Sequence, residues 1–431
     1  MSKYIKNKDS QQKNSISKKN KDEEKIINFI NKKKNRNIHK DENVKKEKNS
    51  ITIEYDKKSI KNFNNKNNII EINKYNINPN NIQYLKNLRN DLYSHFYEIE
   101  EYYNSFIIFK SINDILYLIY AVGYSIYLYD LIDNVIICKL IKAHDKHIVI
   151  FRYCFDKINK RDLILSLSHK DCIKLWDINK LECLLKLQFD NIKTMTLFNE
   201  YYYYYSICFL IDNDQIYICA AIGAYIYNSF NGKKIRIFDL NGKIKKEIDE
   251  SKNISITYKD IETRIFYMDY YNNNKTSKNY IITSNKGYVI SYDYNKNIIY
   301  HKYIDDKNDK IYKQFIIYNK NNIIELIVSS YDGNIRIWNF DSGELLNIIK
   351  VYKGKLFDIC MWNDEYLFIG CDNGKINLID IKEKKTIKKL NKDLIGLNFG
   401  VTTINKVIIP RYGECLITQS ANQLSLWVNN I

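Results

Sequence analysis

Proline and glycine are nearly absent from this chain, whose 431 residues include only 2 Pro and 13 Gly. So few glycines leave little material for loops that cradle phosphate. No G-x-x-x-x-G-K, G-x-G-x-x-G or G-x-S-x-G occurs, which removes the nucleotide-binding and nucleophile-elbow signatures. Arginine is scarce as well, with 8 Arg against 59 Lys, although base and phosphate recognition favours the bidentate guanidinium fork. The 9 cysteines form no C-x-x-C pair. An odd number of cysteines at strand-like apolar positions reads as buried, reduced thiols rather than a disulfide framework. The opening MSKYIKNKDSQQKN lacks the apolar core of a signal peptide, and the longest apolar stretches are broken by charge, as at Asp212 and Asp214. The expectation is a soluble protein of the cytoplasm or nucleus with no transmembrane segment.

What is present is charge, tyrosine and repetition. The net charge is +17 and the isoelectric point about 9.1, a balance that invites phosphate backbones. Residues 1–80 hold 21 Lys+Arg and 10 Asp+Glu, or +11, leaving +6 for the remaining 351 residues. That segment is rich in Lys and Asn and has only isolated apolar clusters, so it reads as a disordered tail unable to offset its ordering entropy by burial. After Asn78-Pro79, the spacing of Ile82, Leu85, Leu88 and Leu92 predicts a short helix at the domain edge.

From there on the pattern is that of strands. Runs of four to seven β-branched and aromatic residues alternate with polar turns, first in SFIIF, ILYLIY, SIYLYD and VIICKLI, with no long helical run between sets. Six runs close on the same kind of phrase: SIYLYD, CIKLWD, KIRIFD, YVISYD, NIRIWN and KINLID. Their penultimate residues Tyr129, Trp176, Phe238, Tyr292, Trp338 and Ile379 are 47, 62, 54, 46 and 41 residues apart, and QLSLWV follows after 48 more. These intervals bracket the period of a four-stranded propeller blade. The longest, from Trp176 to Phe238, predicts an extended hairpin or loop on the third blade. It contains Tyr201 to Tyr205, which read either as a base-stacking surface or as codon repetition within a strand. The last phrase ends three residues from the final residue and lacks an outer strand; FYEIEEYYN at 96–104 is the expected donor, closing seven blades.

SLSHKDCIKLWDI (Ser166 to Ile178) and SSYDGNIRIWNF (Ser329 to Phe340) resemble the WD-repeat β-propeller family, and Ala143-His144 stands where that family has Gly-His. The resemblance covers roughly residues 96–431. It implies an all-β, seven-bladed ring over residues 81–431 and, within blades, a hydrogen-bond chain from a loop His through a turn Asp and a strand Ser to the Trp indole. His144, Asp171, Ser166 or Ser168, and Trp176 match that chain in blade two, with Asp171 displaced by one position. In blade five Asp332, Ser329 or Ser330, and Trp338 match it without a His. Lys286, Asn373 and Ala421 align with Asp332 in other blades. All of these are structural residues in the family.

Metal ligation would draw on His144 with His147, or His169 with Cys172, pairs on different turns. Asp212-Asn213-Asp214 lacks the glycine and terminal Glu of a calcium loop. Asp305-Asp306 and Glu100-Glu101 sit in charged turns. No catalytic, cofactor or metal site is therefore expected. The resemblance implies a scaffold or adaptor that binds proteins or peptides on its faces, monomeric within a larger complex; the alternative is a nucleic-acid-associated propeller, of RNA or ribosome-assembly type, acting through the basic tail.

Overall fold

The computed structural model describes residues 52–55, 82–89, 106–169, 171–188, 201–226, 229–249, 265–273, 276–305, 311–320, 323–390, 400–420 and 423–429. Seven antiparallel sheets follow one another along the chain, over residues 106–141, 148–188, 201–249, 267–303, 312–350, 356–390 and 401–429. Six of them take all four ring strands from consecutive sequence. The seventh has three consecutive strands, Val401–Ile409, Gly413–Ser420 and Gln423–Asn429, and borrows its fourth from Ile82–Arg89.

The first strand of each sheet contacts the first strands of both neighbours, so the seven form an inner ring around one axis. Seven apolar clusters lie between successive sheets. The one that joins Phe106, Leu118 and Tyr120 of the first sheet to Val407, Ile417 and Leu426 of the seventh completes the circle. The chain is thus a closed seven-bladed β-propeller. Blade three carries the expected extension as long strands, Tyr201–Asp212, Gln215–Ile226 and Ser229–Asp239.

The repeated phrase is the third strand of each blade, and both of its final positions have a physical reason. Opposite the penultimate residue the fourth strand carries one extra residue, a β-bulge that sharpens the local twist. The extra residue is Ile137, Leu184, Lys245, Tyr300, Leu346 and Ile387 in blades one to six. The terminal Asp or Asn then bends the chain into the next strand by accepting backbone N–H bonds, an Asx turn. Asp130 accepts from Ile132 at 2.8 Å, Asp177 from Lys180 at 3.0 Å, Asp239 from Lys243 at 2.9 Å and Asp293 from Lys296 at 2.9 Å. Asn339 accepts from Asp341 at 2.9 Å and Asp380 from Glu383 at 2.8 Å.

The segment expected to be a helix is instead the closing strand. Ile82–Arg89 pairs antiparallel with Gln423–Asn429, and its register jumps between Tyr84 and Lys86, opposite Trp427, so that Leu85 is the extra residue. Blade seven therefore repeats the bulge of the other six although its outer strand comes from the other end of the sequence. FYEIEEYYN, the segment expected in that role, lies outside the described residues. Within the segment read as a tail, Thr52–Tyr55 is a fifth strand on the outer edge of the first sheet, paired with Val135–Ile141. The rest of residues 1–81 lies outside the described residues, and with it the tail's proposed contact with nucleic acid. Among the described residues no helix is long and apolar enough to cross a membrane.

Turns at the ends of the second strands use left-handed backbone where needed. Gly333 has φ +80° and a Cβ there would meet the Tyr352 carbonyl oxygen at 1.8 Å, so only glycine fits this close approach. The Gly333 carbonyl in turn accepts the Val351 N–H at 3.1 Å, tying this turn to the connection between blades five and six.

Candidate functional site

In blade two Trp176, Ser166 and His144 are joined by hydrogen bonds, and Asp171 stands beside His144 beyond hydrogen-bond distance. The connection Lys142–His147 from blade one bends back over the turn at Gly123-Tyr124, where the His144 N–H bonds the Tyr124 carbonyl at 3.0 Å. This holds the imidazole beside strand Arg161–Ser168. Trp176 Nε1–H donates to Ser166 Oγ at 2.7 Å, and Ser166 Oγ lies 2.6 Å from His144 Nε2. His144 Nδ1 faces Asp171 Oδ2 at 3.8 Å, and the Cys172 thiol donates to the same oxygen at 3.1 Å. Burial lowers the His144 pKa, with Asp171 pulling the other way. For Asp171, burial opposes ionisation, but the neighbouring His144 and the bond from the Cys172 thiol outweigh it and hold the carboxyl down to about 2. Ser166, not Ser168, is the strand member; Ser168 Oγ is buried and bonds no described residue.

Blade five does not repeat this chain. Strand pairing places Ile164 opposite Trp176, and the position two residues on is Ser166; Leu326 stands opposite Trp338, and two residues on is Val328. Ser329 and Ser330 are out of step with the indole, whose N–H bonds no described residue. Instead, Ser330 Oγ–H donates to Asp332 Oδ1 at 2.7 Å, and Arg336 donates to Asp332 Oδ2 at 2.6 Å and to Asp305 Oδ2 at 2.7 Å. Asp305, read from sequence as one of an uneventful pair, is thus an ion-pair partner. Blade seven shows a match that sequence reading missed: Trp427 Nε1–H donates to Thr418 Oγ1 at 2.8 Å, with Leu416 opposite the indole and Thr418 two residues on.

A paired comparison tests this assignment. Trp176→Phe removes a bonded N–H and leaves Ser166 short of a donor, whereas Trp338→Phe removes an N–H with no partner among the described residues. The first is expected to cost about 0.5–1.5 kcal/mol more than the second in urea unfolding, the net value of one hydrogen bond. Equal costs would contradict it.

A second polar group lies at the ring axis. Arg152 on the first strand of blade two, Tyr267 and Asp269 on that of blade four, and Asp358 on that of blade six come from alternate blades, which only the axis brings together. The Arg152 guanidinium sits 4.9 Å from the Tyr267 ring centroid, and Tyr267 O–H donates to Asp269 Oδ2 at 3.0 Å. Arg152 Nη1 donates to the Phe151 carbonyl at 2.9 Å, while Nε and Nη2 bond no described residue. Asp358 accepts N–H bonds from Ile359 and Ile404, each at 2.8 Å. Burial pushes its carboxyl up to about 7 against the opposing pull of those amides, Arg152 and Lys313.

Because the folded pKa of Asp358 is raised above the ordinary value near 3.9, its contribution to stability is complete below about pH 4. It declines as pH rises to about 7. Unfolding free energy of the native chain is therefore expected to fall relative to Asp358→Asn by up to about 1.4 kcal/mol per pH unit across that window. Parallel stability profiles for the two proteins would rule this out.

At one mouth of the channel, where turns between second and third strands meet the connections between blades, aromatic rings and lysines converge. Tyr331 of blade five lies 6.4 Å from Phe266, ahead of blade four's first strand, and 5.8 Å from Phe357 of blade six. Lys355 Nζ is 5.2 Å and Lys313 Nζ 6.0 Å from the Tyr331 ring centroid. Lys355 is exposed, and Tyr331 and Phe357 are half-buried. Across the same face, Tyr124 is exposed with its ring 4.9 Å from His147.

No family model matches the sequence, and no curated protein does either. The class that fold and geometry define is a seven-bladed β-propeller.

Proposed function

We propose that this chain is a WD-repeat-type propeller that acts as a non-catalytic platform for protein–protein interaction, working as a single copy within a larger assembly. The observation that carries this reading is the channel mouth, where Tyr331, Phe357 and Lys355 from neighbouring blades present aromatic faces and positive charge on a rigid ring. Aromatic anchors with a charged rim suit a partner segment that carries carboxylates beside apolar side chains. The serine and tryptophan of blade two are bonded within the fold, which leaves them stabilising the ring.

Affinity purification with quantitative mass spectrometry tests the proposal, using the native chain and a Tyr331→Ala, Lys355→Glu double variant with an unchanged unfolding midpoint. The native chain is expected to retain a reproducible set of proteins that the variant loses. Identical recovery by both, or no reproducible protein with either, counts against it.

A further inference from the structure

The turn between the second and third strands of blade two brings a thiol, a carboxylate and an imidazole to one point. Cys172 Sγ is 3.5 Å from His144 Nδ1 and 3.1 Å from Asp171 Oδ2, and His144 Nδ1 is 3.8 Å from Asp171 Oδ2. Among the described residues, this is where three ligating side chains of this kind converge. Zinc bonds sulfur at about 2.3 Å and nitrogen or oxygen at about 2.0–2.2 Å, so tetrahedral coordination separates such donors by roughly 3.3–3.6 Å. The three separations lie within about half an ångström of that range. We propose that His144, Asp171 and Cys172 form a zinc-binding site, a role distinct from the hydrogen-bond chain that ends on His144.

The chain behind the site supplies what a ligating imidazole needs. Binding through Nδ1 requires the proton on Nε2, and Nε2–H then donates to Ser166 Oγ 2.6 Å away. Ser166 Oγ has two lone pairs, enough to accept both Nε2–H and Trp176 Nε1–H, so the buried partners accommodate the ligating tautomer and hold the ring's orientation. On binding, the Nδ1–S–O set takes zinc while Cys172 releases its thiol proton to solvent, and the thiolate and carboxylate together match the two charges of the ion. The side chains of His144 and Asp171 are 0% and 10% exposed, so a fourth ligand enters past Asp171. That open position fits water or a donor from a bound protein.

The experiment uses the full chain with zinc alone, and cobalt as its spectroscopic substitute. The native chain is expected to bind one equivalent of zinc in competition with a chromophoric chelator. Its cobalt form should show a sulfur-to-cobalt charge-transfer band and the strong visible bands of four-coordinate cobalt. Cys172→Ser should abolish the charge-transfer band, and both Cys172→Ser and Asp171→Asn should weaken zinc binding by more than the roughly 10- to 100-fold that losing an outer-shell partner costs. Both variants keep Trp176, Ser166 and His144, and their unfolding midpoints without metal confirm folding. Absence of stoichiometric zinc in the native chain, or binding undiminished in the two variants because other cysteines hold the metal, overturns the assignment.

Discussion

A chain lacking residues 1–81 is expected to fold with an unfolding midpoint close to that of the full protein, whereas a chain lacking residues 1–90 is expected to lose its cooperative transition or aggregate. The difference is the strand Ile82–Arg89. It pairs with Gln423–Asn429 at six positions, and at about 0.5–1.5 kcal/mol for each net hydrogen bond its loss costs on the order of 3–9 kcal/mol. Leu88 also packs against the cluster that joins blade seven to blade one, so the deletion loosens the seam on which ring closure depends. The shorter chain presents Gln423–Asn429 as an unpaired edge, a template for association with other copies. The first deletion also removes Thr52–Tyr55, but that strand lies outside the four of its blade. Circular dichroism melts and sedimentation of the two truncations read the contrast directly. Equal behaviour would mean that the ring does not need this strand.

Arg336→Met should be the most damaging single substitution in blade five, costing about 3–5 kcal/mol. The guanidinium is 1% exposed and bonds two carboxylates, Asp305 at 7% and Asp332 at 22% exposure. Removing the cation strands two like charges in a poorly solvated place, and that penalty exceeds whatever the intact ion pairs contribute. Burial opposes ionisation of Asp332, but bonds from Arg336 and Ser330 hold its carboxyl well below the ordinary range. The native contribution is therefore present above about pH 4 and is lost as pH falls towards the depressed value. In the variant the cost should shrink with acidification, as the stranded carboxylates take up protons. Adding Asp305→Asn and Asp332→Asn should recover most of the loss at neutral pH. A single variant as stable as the native chain in urea would refute this account of the blade.

The architecture was legible because each blade writes its third strand in the same local terms, an alternating apolar run followed by a residue that caps the next turn. Trp176, Asp177 and their counterparts are set by contacts within a few residues or across one hairpin. The closing strand was hidden for a physical reason. Its register jumps between Tyr84 and Lys86 and again between Asn87 and Arg89. Two bulges stretch the period-two alternation, so that Ile82, Leu85 and Leu88 fall at helical spacing. Blade five misled through turn length: Ser329 and Ser330 sit near the expected distance from Trp338, but pairing puts Val328 at the bonding position. The axial group of Arg152, Tyr267, Asp269 and Asp358 takes its members from blades two, four and six, one or two to a strand. No window of sequence contains them together.

The most direct test of the central claim, a rigid ring that binds proteins through one loop face, is hydrogen exchange of the full chain with and without a partner recovered by affinity purification. The account predicts new protection at Tyr331–Gly333 and at residues 352–355, with the outer strands of blades five and six, Leu345–Lys350 and Lys385–Leu390, unchanged. Protection confined to those outer strands, with the channel mouth exchanging as in the free chain, would contradict it.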